Sequence, residues 1–248
     1  MLKAFASGRL FGERFGGGSP RVLALHGWGR DHNDFRRTLE GLEAIALDLP
    51  GFGASPAPPE AWGAAEYAEA VLPVLDEFES PAVVVGHSFG GRIAVSLAAG
   101  HSDRIAGLVL TGAPMIRPAS RRKPALGFRA KRFLHRMGLL SDARMESARN
   151  RYGSADYRAA SGVMREVLVK AVGESYEELL PKIVCPVELV WGSDDSEVPL
   201  ALAKGAAELL PRVKLTICPG AGHFTPTTVP DALRAAILRL DPEAGGRR

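Results

Sequence analysis

The chain is poor in cysteine, with two in 248 residues. It lacks any apolar run approaching the ~20 residues that span a bilayer. Aromatic residues make up only 7%, and 31 basic against 28 acidic residues leave a formal charge of just +3. The missing apolar run argues against stable membrane insertion. Met1 to Phe5 lead into Arg9, Glu13 and Arg14 without the apolar stretch of a secretory leader, so the expectation is a soluble cytoplasmic protein. Two cysteines give no disulfide framework and no thiolate metal site. Cys185 precedes the apolar segment 187–191 and Cys218 ends the segment 213–218. On parallel strands the two thiols would sit about 15–20 Å apart, too far to bridge, and both read as inert buried groups. The scarce aromatics are not interleaved with the arginines as a stacking platform, which disfavours nucleic-acid binding. At this length, about 70–75% of the unfolded chain's surface can be buried, so no metal or disulfide staple is needed.

What the sequence does have is a series of short, continuous apolar runs. They fall at 21–25, 44–47, 82–85, 106–110, 187–191 and 213–217. Continuity, rather than alternation, is what a strand covered on both faces requires. Helical patterns lie between them: Val71, Leu72, Leu75 and Phe78; Ile93, Ala94, Leu97 and Ala98; Ala203, Ala206, Leu209 and Leu210; and Leu233, Ile237 and Leu240. Pro230 suits the first turn of the last helix, whereas Pro73 implies a kink or a late start. Residues 2–7 and 10–15, joined at Gly8, read as an edge hairpin. Strands alternating with helices predict an α/β fold whose mostly parallel sheet is flanked by helices on both faces.

Residues 115–182 interrupt that rhythm with short helical patterns and no strand. The stretch 114–153 carries eleven basic residues against Asp142 and Glu146, so it holds +9 while the rest of the chain holds −6. The expected organisation is therefore a core of 1–114 and 183–248 with a helical insertion at 115–182. A basic surface of this kind is most simply a solvated helix face; it would also attract an anionic substrate or surface in a salt-dependent way.

Gly86-His87-Ser88-Phe89-Gly90 follows a buried strand and opens a helix. A serine on so tight a strand-to-helix turn needs glycines around it and leaves its hydroxyl exposed at the carboxyl edge of the sheet. The helix start offers unpaired N–H groups suited to a developing oxyanion. A serine hydroxyl needs a base, and His223, after the strand 213–218 and the turn Pro219-Gly220-Ala221-Gly222, can reach that edge. His32, His101 and His135 lie in polar or basic surroundings, and His87 is expected to point away from the serine. The segment after 187–191 offers Asp194, Asp195 and Glu197. Asp195 is assigned as the partner of His223, with Asp194 as a hydrogen-bonded or capping neighbour and Glu197 solvated. The loop after 108–111 offers no carboxylate before Asp142.

The order Ser88, Asp195, His223 resembles that of the α/β-hydrolase superfamily over essentially the whole chain. Supporting segments are His26-Gly27-Trp28-Gly29, Leu47-Asp48-Leu49-Pro50-Gly51-Phe52-Gly53-Ala54-Ser55, the turn 86–91, Trp191-Gly192-Ser193-Asp194-Asp195 and Gly220-Ala221-Gly222-His223-Phe224. The resemblance implies an eight-stranded sheet, a helical cap at 115–182, and an oxyanion hole from the backbone N–H groups of Trp28 and Phe89. It implies that His26 and Asp48 mainly hold loops, and that the Trp28 indole walls the acyl pocket. Serine at 88 separates the chain from the branches that attack through a carboxylate, and the single glycine after His26 from the branch that takes bulky tertiary-alcohol esters. The activity so implied is a serine carboxylesterase for small or medium acyl chains, without metal or organic cofactor, active as monomer or homodimer. A C–C bond hydrolase, lactonase or thioesterase would use the same residues. So would a haloperoxidase-like side reaction, whereas a non-catalytic ligand-binding protein has no use for all three in register.

Overall fold

The computed structural model describes residues 1–117, 126–141, 144–145, 147 and 154–245. Eight strands form one sheet: β1 (Leu2–Phe5), β2 (Leu10–Phe15), β3 (Val22–Leu25), β4 (Ala44–Asp48), β5 (Ala82–His87), β6 (Ile105–Thr111), β7 (Val187–Gly192) and β8 (Val213–Cys218). Their spatial order is β1-β2-β4-β3-β5-β6-β7-β8. β1 and β2 form the edge hairpin, β2 runs antiparallel to β4, and every later pairing is parallel. The mostly parallel sheet expected from the continuous runs, with the edge hairpin and the eight strands that the family resemblance implies, is the observed one.

The runs are continuous because alternate residues feed two cores. Leu23, Leu25, Ile45, Leu47, Val84 and Leu110 pack on one face beneath α1 (Ala64–Val71) and α2 (Phe89–Gly100). Val22, Ala24, Ala44, Ala46, Val83 and Val85 pack on the other, against Phe35, Leu39 and the final helix. All twelve strand residues are fully buried, so none can be polar without an internal partner.

The helix expected around Val71 to Phe78 differs from expectation. α1 starts earlier, at Ala64, and ends at Val71; Leu72–Glu77 continues as a 3-10 segment with Pro73 in its first turn. Proline has no N–H to donate and clashes with the preceding turn, which ends the α-helix ahead of it. Beyond β6 come α3 (Leu126–Arg136), α4 (Ala155–Ala159) and α5 (Gly162–Gly173), then α6 (Leu200–Leu209) and α7 (Pro230–Leu240) in the resumed alternation. Of the basic residues in 114–153, Arg121, Arg122, Lys123, Arg149 and Arg151 lie outside the described residues, as does the acidic pair Asp142 and Glu146.

Parallel strands put the carboxyl ends of β3, β5, β7 and β8 on one edge, so residues far apart in sequence meet there. The β5–α2 turn is the tightest point. A Cβ on Gly90 would lie 2.1 Å from the Leu25 carbonyl oxygen, and one on Gly86 2.6 Å from the Gly91 Cα. Backbone cannot yield at such distances. We expect Gly90→Ala to cost more than about 2 kcal/mol in urea unfolding. Gly100→Ala, where a Cβ meets open space, serves as the matched change and should leave stability within about 1 kcal/mol of wild type. Equal unfolding midpoints for the two variants would contradict this account of the turn.

Candidate active site

Ser88 stands at φ 49°, ψ −109°, a left-handed backbone that residues other than glycine rarely adopt. Its N–H donates to the Thr111 carbonyl on β6 (2.9 Å), and its own carbonyl accepts from Gly91 and Arg92 as α2 begins. The Gly90 N–H donates to the His26 carbonyl (3.0 Å), which binds the turn to the loop after β3. This loop carries Trp28, and the Trp28 ring meets Phe52 and Phe89 edge-on at 4.9 and 5.3 Å. Among the described residues, no protein acceptor takes the backbone N–H of Trp28 or of Phe89.

The acid is set in a turn of its own making. Asp195 Oδ1 accepts the N–H groups of Glu197 (2.9 Å) and Val198 (2.8 Å), while the Trp191 indole N–H on β7 donates to the Val198 carbonyl (2.9 Å). Asp195 Oδ2 is thereby left for His223, whose Nδ1–H donates to it at 2.9 Å. Burial opposes the charge on Asp195, but the hydrogen bonds from His223 and the Val198 and Glu197 amides outweigh it and hold the carboxyl below the usual carboxylate range. For His223, burial likewise disfavours the charged ring, yet the hydrogen bond and charge of Asp195, with Glu197 adding to it, raise its pKa. Asp194 is exposed and accepts from the Ser193 hydroxyl at 2.7 Å, so it stands apart from the imidazole.

The loop-holding residues can be read atom by atom. His26 Nδ1–H donates to the Gly27 carbonyl (2.7 Å), which leaves Nε2 to accept the Leu49 N–H (2.9 Å). Burial lowers the pKa of His26. Asp48 accepts from the His32 N–H and ring and from the Ala54 N–H. His87 is engaged elsewhere than at the serine hydroxyl: its Nε2–H donates to the His223 carbonyl at 3.0 Å. Burial, reinforced by the neighbouring His223, pushes the His87 pKa down to about 4. Cys185 and Cys218 are free and buried, and burial pushes both thiols up. Asp31, His32 and Asp48 bring potential metal-ligand atoms within 4.8 Å of one another, but the hydrogen bonds just described, together with that from the Asn33 N–H to Asp31, already engage them.

Ser88 and His223 line one cavity of about 210 Å³, with Trp28 and Phe89 in its wall. Leu168, Ala171 and Val172 of α5 complete it from within the insertion. Arg92, Asp156 and Glu197 also line it, and the sequence reading did not single them out for the site. For Arg92 the available signal was helical spacing: it lies four residues beyond Ser88, on the same side of α2. Glu197 reaches the site because the Asp195 turn folds it back, which spacing does not reveal.

Residues 22–236 match the sequence pattern of the alpha/beta hydrolase family. The chain is 33% identical over 239 residues to a pimeloyl-[acyl-carrier protein] methyl ester esterase of Chromobacterium violaceum, covering 86% of this chain and 91% of that one. It is 30% identical over 253 residues to the magnesium-chelatase 30 kDa subunit of Rhodobacter capsulatus, covering 88% and 86%. Among solved structures it resembles a thermophilic esterase from Thermogutta terrifontis, with a TM-score of 0.71, 23% identity and 99% coverage of both chains. No helix among the described residues is long and apolar enough to cross a membrane.

His26 and His87 set the acid limit of stability. In the unfolded chain both take a proton near pH 6.5, and in the folded chain they resist it. The unfolded state therefore binds more protons as pH falls from 6.5 towards 4, and stability drops through that window, by about 3 kcal/mol for His87 alone. His223, with its raised value, works elsewhere: its contribution is complete below pH 6.5 and is lost as pH rises through its folded pKa. Urea midpoints of wild type and His87→Gln measured from pH 7 to 4 should converge as the pH falls. Parallel curves would mean that His87 charges freely in the folded protein.

Proposed function

The chain belongs to the alpha/beta hydrolase family, and on that premise we propose that it is a serine hydrolase cleaving carboxylic esters of small or medium acyl chain. The nucleophile is Ser88, the base His223 and the supporting carboxylate Asp195. One observation carries the reading: His223 Nδ1–H is committed to Asp195, which makes Nε2 the acceptor nitrogen of the ring, in the cavity that Ser88 lines. Similar relatives bear different names, a methyl ester esterase and a chelatase subunit, so the assignment leans on this arrangement more than on identity.

In the proposed mechanism His223 Nε2 removes the Ser88 hydroxyl proton as Oγ attacks the ester carbonyl. The carbonyl π electrons move onto oxygen, and the unengaged N–H groups of Trp28 and Phe89 receive the oxyanion. The Phe89 amide is also in the first turn of α2, where the helix dipole favours negative charge. The tetrahedral centre collapses, the C–O bond to the alcohol breaks, and the alcohol leaves with the proton from His223. Water then repeats the sequence on the acyl-serine, releasing the acid and restoring Ser88. Asp195 keeps the imidazole in one tautomer and stabilises it when charged.

A cavity of about 210 Å³ is compatible with a small or medium acyl chain beside the carbonyl. Trp28 and Phe89 supply an apolar, edge-packed wall for them. The segment 115–182 acts as the cap over this cavity, inserted into a core of 1–114 and 183–248, and among its described residues α4 contributes Asp156 and α5 Leu168, Ala171 and Val172 to the lining.

A p-nitrophenyl ester series should give highest kcat/KM at two to six acyl carbons, and Ser88→Ala should lower it by at least ~10³-fold. Retained turnover in that variant would refute the nucleophile. Asp195→Asn should cost far more than Asp194→Asn, and the reverse order would move the carboxylate role by one residue.

A further inference from the structure

Among the described residues, the cavity lining holds three charged side chains besides His223: Arg92, Asp156 and Glu197. Arg92 spends part of its guanidinium on the Ala171 carbonyl of α5. Asp156 sits in the first turn of α4, at the exposed margin. Glu197 is different, because it meets the reacting groups: its Oε2 lies 3.6 Å from His223 Nε2, with 57% of the side chain open to solvent. The sequence reading left this residue solvated and without a role. Its backbone is not free to drift, since the Glu197 N–H donates to Asp195 Oδ1 and the following residue is tied to both Asp195 and Trp191.

This position matters because of what Nε2 does. On the reading above, the departing alcohol oxygen must come within about 3 Å of Nε2 to collect its proton. A carboxylate beside that nitrogen therefore faces the alcohol half of the ester and leaves the acyl half to Trp28 and Phe89. A positive charge two carbons beyond the ester oxygen reaches the Glu197 oxygens, while a negative one is repelled. Among the described residues, two carboxylates against one guanidinium, itself hydrogen-bonded to Ala171, face this cavity, opposite in sign to the sequence charge of 114–153.

We propose that Glu197 is a specificity-determining residue that selects esters whose alcohol carries a cation, a quaternary or protonated amino alcohol, over esters of neutral or anionic alcohols. The inference rests on the Ser88–His223–Asp195 reading and deepens it by naming the leaving-group class.

Two butyrate esters of one shape provide the test: the 2-(trimethylammonio)ethyl ester and its carbon isostere, the 3,3-dimethylbutyl ester. Acid release measured in a pH-stat gives kcat/KM for each, and their ratio cancels any general change in the enzyme. Wild type should favour the cationic ester. Glu197→Gln should lower the ratio by about three- to tenfold at low salt, the range for one charge at several ångströms in a partly aqueous setting. Glu197→Lys should carry the ratio below one. An unchanged ratio in both variants, with neutral-ester turnover still abolished by Ser88→Ala, overturns the role of Glu197 alone. Neutral-ester turnover that survives Ser88→Ala overturns the triad reading and this inference with it.

Discussion

Everything at this site depends on how closely α2 approaches the end of β3. The Gly90 amide donates to the His26 carbonyl across a gap that leaves no room for a side chain. Closing that gap drives Ser88 into left-handed backbone and projects its side chain off the sheet edge. The same closure sets the start of α2 beside the loop of Trp28, where the Trp28 and Phe89 rings meet edge-on. Strain of the order of 1–3 kcal/mol at Ser88 persists because fully buried β5 and α2 residues on either side over-determine the turn.

A second constraint is electrostatic. Burial lowers the pKa of His26 and His87, whereas His223, its ring 4.9 Å from that of His87, has its pKa raised. Partners decide the difference: His26 and His87 meet backbone groups, and His223 meets a carboxylate. The bond from His87 to the His223 carbonyl joins these two regimes, so the residue beside the proposed nucleophile fixes the main chain of the proposed base.

Much of this was legible in the sequence, for identifiable reasons. Strands covered on both faces must be apolar throughout, so β3 to β7 announced themselves. Glycines at 86, 90 and 91 flank a serine because backbone meets backbone there, and that requirement leaves few other residue choices. Asp195 was separable from Asp194, although the reason, two amides of its own turn engaging one oxygen, appears only in three dimensions. Other features left no local trace. α1 begins at Ala64 and buries Ala64, Tyr67, Ala68 and Val71, a face built largely from alanine, while Pro73 points to the turn after it. Glu197 looks like any exposed carboxylate until the turn returns it to Nε2. The lining from α5 depends on how the insertion folds back, which no short-range pattern encodes.

The sheet order gives the site an uneven footing. The serine hangs from β5, with strands on both sides, while Asp195 and His223 hang from β7 and β8, the last two strands, and β8 is an edge with Ile217 exposed. Edge elements open locally at lower free energy than central ones. Transient fraying of β8 would carry His223 away from Ser88 while the remaining strands stay paired. Thermal inactivation should therefore run ahead of thermal melting, and stiffening this one edge would extend working life without raising the stability of the whole.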